Sequence, residues 1–210
     1  MKIISLSLNG LIPVNSYICF DETTRCGVII DPGAEAERIL SLLREKDISI
    51  EKILLTHGHF DHLGAAAAVS QATGAPICMG ECGAEYAANP AWNLSAMIGQ
   101  KIILSEITTI AEGEIVPLNN APSVQLTVIA TPGHTLDGTV YYAAQDNVAF
   151  VGDTIFAGSH GRTDLYGGDE KILLQSIKEK ILTLPPTTVL LSGHSEPTDV
   201  AQERKCPWYR

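Results

Sequence analysis

The sequence predicts an α/β protein of two similar halves, each a sheet backed by helices, packed sheet to sheet with the helices outside. Three observations predict it. Short aliphatic runs of strand length alternate with segments of helical period. The order strands–helix–strand–helix is followed by strands–helix–strand. Each half also closes on a strand that runs into a histidine, Leu55 into His57 and Leu191 into His194. No stretch between the halves reads as a linker rich in Gly, Ser or charge, so residues 1–210 are expected to form a single domain.

Taken in order, Ile3–Leu8, Val14–Phe20 and Cys26–Ile30 read as a meander of strands, with the polar turn Asp21–Thr24 inside it. Asp31-Pro-Gly33 ends the third strand. Ala34–Asp47 places Ile39, Leu40, Leu42 and Leu43 on one helical face. Ile53–Leu55 returns to the sheet, Ala65–Thr73 is a small-residue helix stopped by Gly74 and Pro76, and Ile77–Met79 is a short strand. Residues 81–99 are the least regular stretch, with room for short helices and with Tyr86, Trp92 and Met97 read as core or lid packing or, alternatively, as substrate wall. Strands are expected at Ile102–Leu104, Ile115–Pro117, Val124–Ala130, Thr139–Ala143 and Val148–Val151. Asp169–Leu184 is the second clear helix, stopped by Pro185-Pro186, and Thr188–Leu191 is the last core strand.

Composition narrows the function. With 45% hydrophobic residues the chain can bury a core, and a net charge of −10 argues against a nucleic-acid surface. No apolar run of about 18 residues is present, so no membrane span is expected. Met1–Leu8 reads as a first strand, because Asn9-Gly10 interrupts it before any signal-peptide cleavage site. Five cysteines without C-x-x-C spacing suit reduced thiols in a cytoplasm. Cys19 and Cys26 stand where they could face each other across a hairpin.

The chemistry concentrates in Thr56–His62, T-H-G-H-F-D-H, which holds three of the six histidines with a carboxylate. Neutral imidazoles beside an anionic oxygen are what a borderline divalent cation takes. Three later turns look alike: Pro132-Gly-His134, Val151-Gly-Asp153 and Ser192-Gly-His194, each a strand end with Gly before the His or Asp. Five histidines (His57, His59, His62, His134, His194) and two aspartates (Asp61, Asp153) make seven donors, enough for two metals if one carboxylate bridges. His160, in Gly158-Ser-His-Gly161, is read as a loop residue near but not on the metals.

THGHFDH, then PGHT, GDT and GH in that order, resembles the metallo-β-lactamase-fold hydrolases over nearly the whole chain. Asn15-Ser-Tyr17, Asp31-Pro-Gly33, Asn93-Leu-Ser95 and Gly161-Arg-Thr-Asp164 with Gly167-Gly168-Asp169 resemble the short glyoxalase II-like group within it. The resemblance implies an αββα sandwich with metals at one edge. It implies one metal on His57, His59 and His134, a second on Asp61, His62 and His194, and Asp153 bridging both. Zinc is the first expectation for these two divalent ions, and iron and manganese accept the same donors. The implied reaction is hydrolysis of a small thioester, with S-2-hydroxyacylglutathione as reference substrate. A metal-bridging hydroxide attacks, Asp61 orients it or manages its proton, and the thiolate leaves. Asp31, Thr56, Asp137, Arg162 and Asp164 are candidates to hold ligands or shape the loop near Asp153. For Asp31 a plain turn-forming role competes, and for Arg162 with Asp164 a structural ion pair.

The sequence departs from the group in places. Sixteen residues follow His194, without the helical glutathione clamp of the larger glyoxalase II enzymes. Ser195-Glu-Pro-Thr198 and Cys206–Arg210 differ from the usual endings, and His134-Thr-Leu-Asp-Gly138 lacks a usual Pro-Gly. Two alternatives share the fold: a mononuclear iron persulfide dioxygenase, and a lactone or phosphodiester hydrolase. A non-enzymatic scaffold predicts lost ligands, whereas all seven donors are present. The sequence leaves oligomeric state open.

Overall fold

In the computed structural model, which describes residues 1–209, two mixed sheets face each other between outer helices. The first sheet has the order β1 (Lys2–Leu8), β2 (Val14–Phe20), β3 (Cys26–Ile30), β4 (Ser49–Leu54), β5 (Ile77–Met79), β6 (Ile107–Thr109). Its first three strands are antiparallel and the rest add in parallel. The parallel connections carry α1 (Ala36–Lys46), and the short α2 (Phe60–Leu63) with α3 (Ala66–Thr73). The second sheet runs in the order β11 (Thr198–Asp199), β10 (Val189–Ser192), β9 (Val148–Gly152), β8 (Thr139–Ala143), β7 (Thr127–Ala130).

The period of two along each strand creates the layers. On β2 and β3, Ile18, Phe20 and Ile29 turn outward onto Ile39 and Leu43 of α1 and Val69 of α3. Tyr17, Cys19, Val28 and Ile30 turn the other way and meet Val128, Tyr141, Phe150 and Leu191 of the second sheet. A third core joins Val140, Ala149, Val151 and Leu190 to Leu173, Ile177 and Ile181. Those last three lie on α5 (Glu170–Ser176) and the π-helical turn that continues it over Ile177–Ile181. Helix, sheet, sheet, helix is therefore the layer order that the sequence pattern predicts.

The differences are local. Ile102–Leu104 is not a strand, because buried side chains take its backbone: Ser95 Oγ accepts Ile102 N–H and Asn93 Nδ2 donates to the Ile102 carbonyl. Ile115 makes a single bridge to Thr127, and the strand expected from Val124 begins at Thr127. The helix expected over 169–184 is α-helical to Ser176 and turns π-helical at Ile177. Strand β6 at the sheet edge, β11, α4 (Gly83–Ala88) and α6 (Val200–Glu203) are additions. Cys19 pairs with Val28 in the ladder, opposite neither thiol, and both Cys19 and Cys26 are free. No helix among the described residues is long and apolar enough to cross a membrane.

Candidate metal centre

The seven predicted donors lie in the loops and the short helix that follow strands β4, β7, β9 and β10. His57 follows β4 through Leu55 and Thr56, and His59 caps α2, which carries Asp61 and His62 in its single turn. His134 sits in the β7–β8 turn, Asp153 follows β9, and Gly193-His194 follows β10 after a break in ladder register at Leu191/Ser192. Two backbone approaches fix these turns. Gly133 has φ 128° and no space for a β-carbon against the backbone of Leu173, so α5 docks directly on the turn that presents His134. Gly152, with φ 49°, sits against Thr56, which brings the Asp153 loop onto the His57 loop.

The outer nitrogens of four histidines face oxygen. His62 Nδ1 lies 2.8 Å from Asp31 Oδ2, and His134 Nδ1 lies 2.6 Å from the Arg162 carbonyl. His194 Nδ1 lies 2.7 Å from the Pro13 carbonyl. Thr56 Oγ1 donates to Asp31 Oδ2 and so accepts from His57 Nδ1, 3.2 Å away. A carbonyl or carboxylate only accepts, so each Nδ1 carries a proton and Nε2 is the atom each ring can offer a metal. Those inner atoms then crowd together. His57 Nε2 and His134 Nε2 are 3.1 and 3.0 Å from His59 Nδ1, and His62 Nε2 is 3.2 Å from His194 Nε2. Asp61 Oδ2 is 3.2 Å from His194 Nε2, and Asp153 reaches His62, His134 and His194 at 3.3, 3.6 and 3.5 Å. Wherever two such nitrogens are both unprotonated, their lone pairs repel at these distances, and a cation between them relieves it. Tetrahedral coordination with metal–nitrogen bonds near 2.0–2.1 Å sets neighbouring donors about 3.3 Å apart. The donor chemistry fits divalent metal.

Ionisation follows burial and charge. Burial keeps His57, His59 and His134 below the ordinary imidazole range, His59 down to about 3, so they are neutral donors. Burial alone would also lower His62 and His194. Asp153 and Asp31 raise His62 instead, and Asp61 and Asp153 raise His194: positive charge is favoured there. Burial pushes against ionisation of Asp153 and Asp61 as well, yet the surrounding histidines hold both below the usual carboxylate range. Asp153 Oδ1 is buried without a hydrogen-bond partner, as an oxygen reserved for a cation would be.

The supporting residues sort differently from expectation in part. Asp31 is buried and accepts from Thr56 N–H, Thr56 Oγ1 and His62, well beyond turn formation. Arg162 holds His134 through its backbone carbonyl, while its side chain forms an exposed two-bond ion pair with Asp164. Asp137 is buried behind Gly58, between two donor histidines, and burial pushes its carboxyl up to about 7. His160 packs against Trp208 and Tyr209, outside the donor groups. Two supports escaped sequence reading: the Pro13 carbonyl, whose position no motif marks, and Tyr86. The buried Tyr86 hydroxyl donates to the Tyr166 carbonyl at 2.8 Å and accepts Leu136 N–H at 3.2 Å, tying the 81–99 region to both loops beside the site.

Comparison with known proteins agrees with this geometry. The sequence model of the metallo-beta-lactamase superfamily matches residues 9–194. The probable metallo-hydrolase YqgX of Bacillus subtilis is 37% identical over 196 residues, covering 93% of this chain and 91% of that protein. Hydroxyacylglutathione hydrolase GloC of Haemophilus influenzae is 32% identical, covering 93% and 94%. The crystal structure of the BLEG-1 B3 metallo-beta-lactamase superposes with TM-score 0.92 at 33% identity, covering 99% of each chain. TTHA1623 in a di-iron-bound form superposes with TM-score 0.82 at 30% identity, covering 97% and 98%. A matched family along nearly the whole length, on a fold that gathers histidine and aspartate at its strand ends, makes this chain a metal-dependent hydrolase of the metallo-β-lactamase superfamily.

Proposed function

We propose that this chain, acting as one domain over residues 1–210, is a glyoxalase II-type thioesterase with a dinuclear centre, S-2-hydroxyacylglutathione being the reference substrate. The observation that carries the reading is the convergence of seven donors in overlapping groups: His57, His59 and His134; His57, His62 and Asp153; Asp61, His62 and His194. In this reading His57, His59 and His134 would hold one metal, Asp61, His62 and His194 would hold a second, and Asp153 would serve both. When bound, the metals supply an acidified water and Lewis-acid polarisation of the carbonyl. Zinc is the first candidate, and the di-iron relative supports iron as the competing ion.

The residues divide the remaining work. Asp31, Arg162 and Pro13 lock the tautomers of His62, His134 and His194 through the hydrogen bonds described above. Asp61 lines the cavity, is held ionised by its histidine neighbours, and takes the proton of the attacking water. The carbon–sulfur bond then breaks, and a thiolate of ordinary pKa about 8.5 leaves with little need of an acid. The GloC relative supports the thioester class, and five free cysteines suit a reducing cytoplasm.

The test is hydrolysis of S-D-lactoylglutathione by metal-replete protein, followed by loss of thioester absorbance. Saturable turnover is expected, falling at least about 100-fold in Asp61→Ala, the scale of removing a positioned acid–base group. Absence of turnover with two metals bound per chain would rule out this substrate.

A further inference from the structure

The cavity over the donor cluster has a volume of 290 Å³, and beyond the donors and Arg162 its walls are apolar: Ile12, Phe60, Leu94, Phe156 and Leu165. Ile12, Phe60 and Asp61 also line a neighbouring groove of 180 Å³, together with Leu11, Ala34, Ile98, Gln100 and Ile102. Among the described residues, Arg162 is the one Lys or Arg in either wall. Both Asp164 oxygens hold its guanidinium at 2.7 Å, so its charge is already paired. Apart from that exposed ion pair and the donors, the wall offers a substrate limb apolar contact.

Leu94 is the built part of the wall. Its φ of 66° lies in the left-handed region, which leucine rarely adopts and which persists only where surrounding structure enforces it. The enforcement is visible. Asn93 and Ser95 on either side are fully buried. Asn93 Nδ2 donates to the Ile102 carbonyl at 2.9 Å, its Oδ1 accepts Ser95 N–H at 3.0 Å, and Ser95 Oγ accepts Ile102 N–H at 3.0 Å. The Asn93 carbonyl accepts Phe60 N–H at 2.8 Å, one residue from Asp61. Two polar side chains thus anchor an apolar one, in an unfavourable backbone state, at the rim of the donor cluster. Glycine or asparagine would suit that backbone better.

We propose that Leu94 determines specificity, and that the cavity with its neighbouring groove favours thioesters bearing an uncharged aliphatic limb. This rests on reading the cavity as the site of thioester hydrolysis. The shared chemistry is the aliphatic limb, which the acyl or the thiol side could supply.

Metal-replete protein tests it with two readouts. Straight-chain carboxylates from acetate to octanoate, titrated by calorimetry, probe the wall without reaction. Affinity is expected to rise about two- to fourfold per methylene over the first few carbons. Leu94→Asn is expected to unfold at or above the wild-type temperature and to lose most of that rise. N-acetylcysteamine thioesters of the same acyl groups, and thioacetates of alkyl thiols, then show by kcat/KM which side carries the limb. Carboxylate affinity independent of length overturns the proposal. So does a destabilised Leu94→Asn that keeps the wild-type increments, which would make Leu94 a packing residue. A length-dependent carboxylate series with no thioester turned over leaves the wall standing and removes the thioesterase reading. Thioester turnover independent of limb length does the reverse.

Discussion

Asp137 is the buried acid that the proposed chemistry leaves unused, and its surroundings set how the protein responds to pH. It is 2% exposed, and neither carboxylate oxygen has a hydrogen-bond partner. Burial raises its pKa from the ordinary carboxylate value to about 7. A raised acid favours the protonated folded state. Its contribution is fully present below the unfolded pKa near 3.9 and is lost as pH rises through about 7. Asp137→Asn keeps the shape and removes the titration. The stability of the wild type relative to this variant is expected to fall by about 2–4 kcal/mol between pH 4 and pH 8. Denaturant unfolding across that range measures it, and parallel curves would refute it. The residue was legible as a supporting candidate and a departure from the family's Pro-Gly, but not as a buried acid, because sequence does not report how deep a side chain lies. Asp31 shows the same limit from the other side. Asp-Pro-Gly announces a turn, but three accepted hydrogen bonds, one from a residue 31 positions away, need the fold. The seven donors were legible because Gly-His and Gly-Asp at strand ends carry their own local signal.

Among the elements, α5 matters most to the site without contributing a donor. Asp169 caps it, its side chain accepting Ile172 N–H while Asp169 N–H donates to the Gly133 carbonyl at 2.8 Å. The helix is thus pinned beside His134. A β-carbon at Gly133 would enter the backbone of Leu173, and φ 128° is itself a conformation that side chains resist. Gly133→Ala is therefore expected to cost about 2–4 kcal/mol. It should also lower metal content by displacing the turn that carries His134. Denaturant midpoints together with metal analysis check both, and a stable variant with full metal would sever α5 from the site. Helix existence was legible from Ile172, Leu173, Ile177 and Ile181. The π-helical continuation was not, since one added residue in a turn barely alters an apolar pattern. The strand expected at Ile102–Leu104 failed for a different reason. Apolar runs advertise strands, and no propensity records that Asn93 and Ser95 already occupy that backbone.

At the scale of the molecule, the donor cluster lies where the two halves are sewn together. His57, His59, Asp61 and His62 come from the first sheet and its helices; His134, Asp153 and His194 come from the second. The seam is also made of hydrogen bonds. Asn15 N–H donates to the Gly193 carbonyl at 2.7 Å, Asn15 Nδ2 reaches the Ser192 and Ser195 carbonyls, and the Tyr17 hydroxyl donates to Ser192. His194 itself is steered by the Pro13 carbonyl, across 181 residues of chain. Two sheets and an order of elements were legible in the sequence, but this sewing joins strands whose separation along the chain hides their contact. Cations held by donors from both halves would fix the halves in one arrangement. Metal that binds only the folded chain adds about 4 kcal/mol for each site at free metal a thousandfold above Kd. For a chain of this length each kcal/mol moves Tm by about 2–4 °C. Stripping metal with a strong chelator is therefore expected to lower Tm by about 10 °C or more, reversibly on adding zinc or iron. The increment should shrink in His194→Ala, where the second half loses its hold on Asp61 and His62. An unchanged Tm after verified metal removal would mean that the halves are held by their apolar cores and hydrogen bonds alone, with the donors preformed for chemistry and idle in stability.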